Sequence, residues 1–117
     1  MNNLSLPLSD SWQPICPLEE IVPDTGVCAL LNGRHVAVFR VGDTSPQIFA
    51  IDNVDPNAGA SVLSRGLVGS IGERIVVASP IYKHHFDLAT GECLEAPQHS
   101  VAAYRTRIEH GKVWVGL

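Results

Sequence analysis

No two cysteines of this 117-residue chain are spaced as a C-x-x-C pair, and their total of three, Cys16, Cys28 and Cys93, is odd. A disulfide framework would leave one thiol over, which fits a reducing compartment better than a secreted one. Positive charge is scarce as well, with eight Lys and Arg against twelve Asp and Glu and a formal net charge of −4. Without a basic stripe or aromatics interleaved among the cations, the chain is not expected to bind nucleic acid. No apolar run approaches the ~18 residues of a membrane span. Met1 to Ser5 lacks the basic start and apolar core of a secretory leader, so the glycosylation sequon Asn3-Leu4-Ser5 has no secretory context. A cytoplasmic protein is expected. P-loop, GxGxxG and GxSxG motifs are missing too, which argues against nucleotide binding and against a serine nucleophile. Helical periodicity is sustained nowhere over ~11 residues, so an α/β fold is not expected.

What the chain does contain is globular and β-rich. Hydrophobic residues make up 45% and charged residues 17%, enough apolar content for one folded domain. Residues 1–11 are polar and aperiodic and read as an N-terminal tail, with the domain over residues 12–117. Val27 to Leu31 and Arg34 to Val41 flank Asn32-Gly33, the strongest short-range hairpin signal, because a type I′ turn needs positive φ at both central positions. Gln47 to Ile51 and Arg74 to Ala78 read as further strands. Tyr104, Thr106 and Ile108 alternate with Arg105, Arg107 and Glu109, which predicts one inward and one wet face. His110-Gly111 then turns the chain into Lys112 to Val115. Only Leu18 to Ile21 and the stretch around Ser61 to Ser64 suit a helical turn. The class is all-β, built from small antiparallel sheets. Asp52 to Gly72 reads as a long irregular segment, and such segments inside compact domains usually carry function or its relic.

Two stretches concentrate the remaining information: Asp55-Pro56-Asn57-Ala58-Gly59-Ala60, and Ser79-Pro80-Ile81-Tyr82-Lys83-His84-His85-Phe86-Asp87, continued by Thr90-Gly91. Together they resemble the two cluster-binding loops of Rieske proteins, Cys-Pro-His-x-Gly-Ala and Cys-Pro-x-His-Gly-x-x-Phe-Asp. The framework positions Pro56, Gly59, Ala60, Pro80, Phe86, Asp87, Thr90 and Gly91 match; Pro97, Tyr104 and Gly111-Lys112-Val113 suit the closing strands. The resemblance spans residues 12–117 and implies the Rieske fold of small antiparallel sheets. The ligand positions differ. Asp55, Asn57, Ser79 and Tyr82 stand where Cys, His, Cys and His would be needed, and a Rieske centre holds one iron by two thiolates and the other by two imidazoles. Four hard oxygen donors are no substitute at neutral pH, so no cofactor and no metal are expected in this chain.

A Rieske framework without its ligands resembles the small subunit of NAD(P)H nitrite reductase. Thr25 to Leu31, Ser61-Val62-Leu63-Ser64-Arg65-Gly66-Leu67 and Val77-Ala78-Ser79-Pro80 look like that family too. The resemblance implies a non-catalytic accessory subunit of a complex that reduces nitrite to ammonium, docked on a large subunit that carries siroheme, an iron–sulfur cluster and FAD. The other readings are a stand-alone Rieske-type ferredoxin, which would require the absent ligands, and a protein-binding module on the same fold.

Individual residues also have plainer readings. Asp55-Pro56-Asn57 suits a turn, since Asp and Asn bond their own backbone and Pro fixes φ. Ser79 and Tyr82 are expected to fill the space a cluster would take, bonded to each other or to loop backbone. His84 and His85 should point to opposite faces of an extended segment, one packed and one exposed, and so not chelate one ion. Arg65, Lys83 and His84 are candidates for a positive docking patch. The three cysteines are expected to be buried and inert. Trp12 and Trp114 are core residues or, if exposed, interface markers.

Overall fold

The structure, a computed structural model, describes residues 12–117; the tail expected over residues 1–11, with its sequon, lies outside the described residues. The chain runs through β1 (Trp12–Pro17), β2 (Thr25–Leu31), β3 (Arg34–Val41), β4 (Gln47–Asp52), β5 (Val54–Asp55), β6 (Ala60–Ser61), β7 (Leu67–Ile71), β8 (Arg74–Ala78), β9 (His85–Asp87), β10 (Ala103–Glu109) and β11 (Lys112–Gly116). Short 3-10 turns occupy Leu18–Glu20, Leu63–Arg65 and Pro97–His99. The strands form a six-stranded antiparallel sheet in the order β1-β11-β10-β4-β3-β2, a three-stranded sheet β7-β8-β9 and the ribbon β5-β6. No helix among the described residues is long and apolar enough to cross a membrane.

Local turn chemistry sets the two main hairpins. Asn32 and Gly33 adopt φ of 50° and 80°, and His110 and Gly111 adopt 53° and 73°. Both pairs have the positive φ of type I′ turns, whose twist matches that of the strands they join. The β2–β3 register closes on Leu31 opposite Arg34, and β10–β11 closes on Glu109 opposite Lys112.

β3 is the spine of the molecule. Val36 and Val38 belong to one core with Ile21, Leu31, Ile48, Ala50, Val113 and Val115. Ala37 and Phe39 belong to a second core with Ile51, Leu63, Val77, Phe86, Leu88 and Cys93. Successive side chains on a strand face opposite ways, so β3 is covered on both sides and its central run is apolar without alternation.

Three expectations are corrected. Asp52 to Gly72 is not irregular throughout, for it contains β5, β6, a 3-10 turn and all of β7. Ile108 is 40% exposed, so the inward face of β10 ends at Thr106. Cys28 is exposed and Cys16 half-buried, with only Cys93 buried among the three. The reason is alternation hidden in an all-apolar run: Val27, Ala29 and Leu31 face the first core, which turns Cys28 and Leu30 outward. A third 3-10 turn, Pro97–His99, follows β9 where no helical signal marks the sequence.

Candidate functional site

The two loops singled out by sequence meet at a buried contact. In the first, between β5 and β6, the Asp55 carboxylate accepts the Asn57 N–H at 2.8 Å, and the Asp55 carbonyl accepts the N–H groups of Ala58 at 3.2 Å and Gly59 at 2.7 Å. Asp55 therefore forms the expected turn, but it also does more. Its carboxylate is fully buried and its second oxygen accepts the hydroxyl of Ser79, 24 positions along the chain. A buried carboxylate is costly unless hydrogen-bonded, and here each oxygen has a donor.

The second loop, between β8 and β9, closes on itself. Ser79 N–H donates to the His84 carbonyl at 2.9 Å, and Lys83 N–H donates to the Ser79 carbonyl at 3.0 Å. Lys83 is held at φ 60°, an uncommon conformation for a side-chain-bearing residue. The Ser79 hydroxyl oxygen accepts the Ile81 N–H at 3.4 Å. Ser79 thus bonds loop backbone as expected but not Tyr82. Tyr82 does not fill the interior either: it is 59% exposed.

The histidines beside the loops are held apart. His85 Nδ1 lies 2.5 Å from a Glu95 carboxylate oxygen, and His85 N–H donates to the other at 2.8 Å. Burial raises the Glu95 pKa, but these two donors, together with Glu95's own N–H, outweigh it and leave the carboxyl below its usual range. His84 Nδ1 is buried with no hydrogen-bond partner. Both rings are half-buried, so neither is the exposed member expected of the pair. His99, on the third 3-10 turn, bonds the Asn57 side-chain oxygen at 2.6 Å.

At the four positions that the resemblance sets against cluster ligands, Asp55 and Ser79 are spent on each other, Asn57 on His99, and Tyr82 faces solvent. Binding two irons and two sulfides takes two thiolates and two imidazoles. The donor set here is oxygen only, and it does not fit that group. No cluster of three or more His, Cys, Asp or Glu side chains able to hold a metal ion occurs among the described residues.

The outside of this end is apolar with basic residues near it. Ile81 is 47% and Tyr82 59% exposed, and Pro56, Pro80, Arg65 and Lys83 are exposed as well. The turn carrying Arg65 lies tight against the start of the second loop, because a Cβ on Gly66 would come 2.3 Å from the Ala78 carbonyl oxygen. Only glycine fits there. Leu67, 80% exposed, follows at once and pairs with Ala78. Beside the first loop lies an open groove of about 730 Å³ whose lining includes Arg34, His35, Asp52, Pro56 and Ser61. Its one carboxylate is occupied, since Asp52 accepts the Tyr104 hydroxyl at 2.5 Å and the Ala102 N–H at 3.0 Å.

A grouping that sequence reasoning missed lies on β1, β10 and β11. Arg107 stacks 4.4 Å from the Trp12 ring centroid and 6.0 Å from that of Trp114, while Arg105 lies 4.9 Å from Trp12. Both tryptophans are half-buried. The pairing of Arg107 with Trp114 across β10 and β11 becomes visible only once the register is known.

Small antiparallel sheets with two loops drawn together at one end define a Rieske-like domain, and the Rieske-like [2Fe-2S] domain family matches residues 11–116. The chain is 49% identical over 102 residues to the nitrite reductase (NADH) small subunit of Salmonella typhimurium, covering 87% of this chain and 94% of that one. The NMR structure of the Escherichia coli protein NirD superposes with a TM-score of 0.82 at 46% identity, covering 89% of this chain and 94% of the other. The chain belongs to the Rieske-like family and, within it, to the small subunits of NADH nitrite reductase. It is also 43% identical over 108 residues to the NAD(P)H nitrite reductase large subunit of Klebsiella oxytoca, where it covers 92% of this chain but spans only 11% of that protein's length.

Proposed function

We propose that this chain is a non-catalytic accessory subunit of a cytoplasmic NAD(P)H nitrite reductase, and that it docks on the large subunit through the converging loops. The complex reduces nitrite to ammonium; siroheme, iron–sulfur cluster and FAD belong to the large subunit, and this chain holds no redox group. The observation that carries the reading is the loop end itself. Where a cluster would need thiolates and imidazoles, a buried Asp55–Ser79 bond braces the loops, while Ile81, Tyr82 and Leu67 stay uncovered. Exposed apolar groups near Arg65 and Lys83 suit a protein interface, where aromatic and Arg anchors dominate the energy. Half-buried His84 belongs to the same loop, its carbonyl accepting the Ser79 N–H, and would act through the shape of that loop. The presence of a homologous segment inside the Klebsiella large subunit supports the pairing, since fusion keeps the two parts together.

Co-purification of the small and large subunits tests this. Tyr82→Ala is expected to weaken the complex by about 30-fold, the ~2 kcal/mol of an interface anchor, with Arg65→Ala and Lys83→Ala smaller. Unchanged affinity and nitrite turnover in all three would refute docking by this end.

A further inference from the structure

We propose that the open edge of β7 is a self-pairing surface, through which two copies of this chain form a weak two-fold dimer. This does not depend on the docking assignment above, although the two surfaces share Arg65 and Leu67 and the two partners would compete for them. β7 is the outer strand of its sheet, bonded only to β8. Natural proteins blunt such edges with charges, prolines or bulges, because an unguarded edge recruits another strand. Leu67-Val68-Gly69-Ser70-Ile71 has none of these devices, and four of its five residues are exposed.

The free hydrogen-bonding groups can be assigned. A two-residue turn, Gly72-Glu73, joins β7 to β8 and closes on the pair Ile71 and Arg74. In such a hairpin the closing pair is hydrogen-bonded and the pattern alternates along the strand. Leu67, Gly69 and Ile71 therefore spend their backbone groups on β8, while Val68 and Ser70 point theirs outward. No backbone bond of Val68 or Ser70 outside the β7–β8 ladder occurs among the described residues.

A second β7 running antiparallel, with Gly69 opposite Gly69, satisfies this edge with itself. Val68 of one copy exchanges both backbone bonds with Ser70 of the other, and symmetry repeats the exchange. The intervening pairs are the non-hydrogen-bonded kind, in which side chains sit closest. These are Gly69 with Gly69, which keeps the centre free of side chains, and Leu67 with Ile71, 80% and 42% exposed in the single chain. Beyond the strand ends the same symmetry brings Arg65 beside Glu73. Both are exposed, and no ion pair involves either among the described residues. Next to the edge runs a groove of about 280 Å³ lined by Asp24, Val41, Val68 and Ile75 among others, into which the inward side chains of the incoming strand, Val68 and Ser70, can settle. Apolar ends, an empty centre and opposite charges at matching distances make the strand complementary to its own copy.

A five-residue edge is shorter than the ~1,200 Å² interfaces of stable complexes require, so association should be concentration-dependent. Sedimentation equilibrium of the full chain is expected to show a monomer–dimer equilibrium in the micromolar to submillimolar range. Ile71→Lys, a charge placed on the exposed edge, should abolish it while leaving the far-ultraviolet circular dichroism unchanged. Arg65→Glu should weaken dimerisation about tenfold, through two like-charge contacts, and Arg65→Glu combined with Glu73→Arg should restore it. Any of three results overturns the proposal: a monomer throughout, a dimer indifferent to Ile71→Lys, or charge reversal without rescue. Amide protection at Val68 and Ser70 that arises only when the large subunit is added would likewise assign the edge elsewhere.

Discussion

At the residue scale, the contact between Asp55 and Ser79 ties the two loops together. Removing the hydroxyl leaves a buried carboxylate oxygen short of its donor, which costs about 1–3 kcal/mol. Ser79→Ala should therefore lower stability by roughly that amount in urea unfolding. Asp55→Asn should cost less than Ser79→Ala, since an amide can still accept from Asn57 N–H and bond Ser79 with donor and acceptor exchanged. The reverse ranking would count against this account of the bond. A second residue-scale prediction concerns acid. Burial raises the Asp87 pKa, but the Arg74 guanidinium and the N–H groups of Ala89 and Thr90 outweigh it and hold the carboxyl below its usual value. Arg74 Nε donates to Asp87 at 2.7 Å and the same guanidinium bonds Glu92. A carboxyl whose pKa is depressed by folding stabilises the native state above its unfolded value of ~3.9 and stops doing so as pH falls through the native value. Arg74→Ala should thus be destabilising at neutral pH, with the gap to the wild-type chain closing below about pH 4. A gap constant down to acid unfolding would show that the ion pair is not its source.

At the element scale, β3 tests the packing. Phe39 is fully buried in the second core, and its ring lies where a Cβ on Gly26 would come within 2.6 Å. Phe39→Ala should cost about 3–5 kcal/mol in equilibrium unfolding, the usual range for a buried aromatic whose cavity cannot collapse. Some elements were legible in the chain because their cause is local. Asn32-Gly33 and His110-Gly111 announce hairpins through positive φ alone, and β2, β3, β10 and β11 follow from them. β7 was not legible. Four of its five residues are exposed, so no burial pattern marks it, and it exists because Gly72-Glu73 folds it back onto β8. Cys28 was misread for a related reason, since an outward residue in an all-apolar run cannot be told from its inward neighbours.

For the whole molecule, the Rieske framework could be read because its loops sit on turn residues at fixed spacings, Pro56 and Gly59 in one and Pro80 in the other, with Thr90-Gly91 in the turn that follows β9. The oxygen-bearing side chains of Asp55, Asn57, Ser79 and Tyr82, where the resemblance would place Cys, His, Cys and His, stand in the sequence itself. What those residues do instead was not legible there. Asp55 and Ser79 are 24 positions apart, Asn57 and His99 are 42 apart, and only the folded chain brings either pair together. The stacking of Arg105 and Arg107 on Trp12 is long-range as well, and pattern within a segment says nothing of it.

The two-sided burial of β3 bears on how the protein comes apart. Because one strand forms a wall of both cores, neither half keeps its interior once that strand leaves. The slowest amide protons on the two sides should therefore exchange at a common rate, through one global opening shared by both halves.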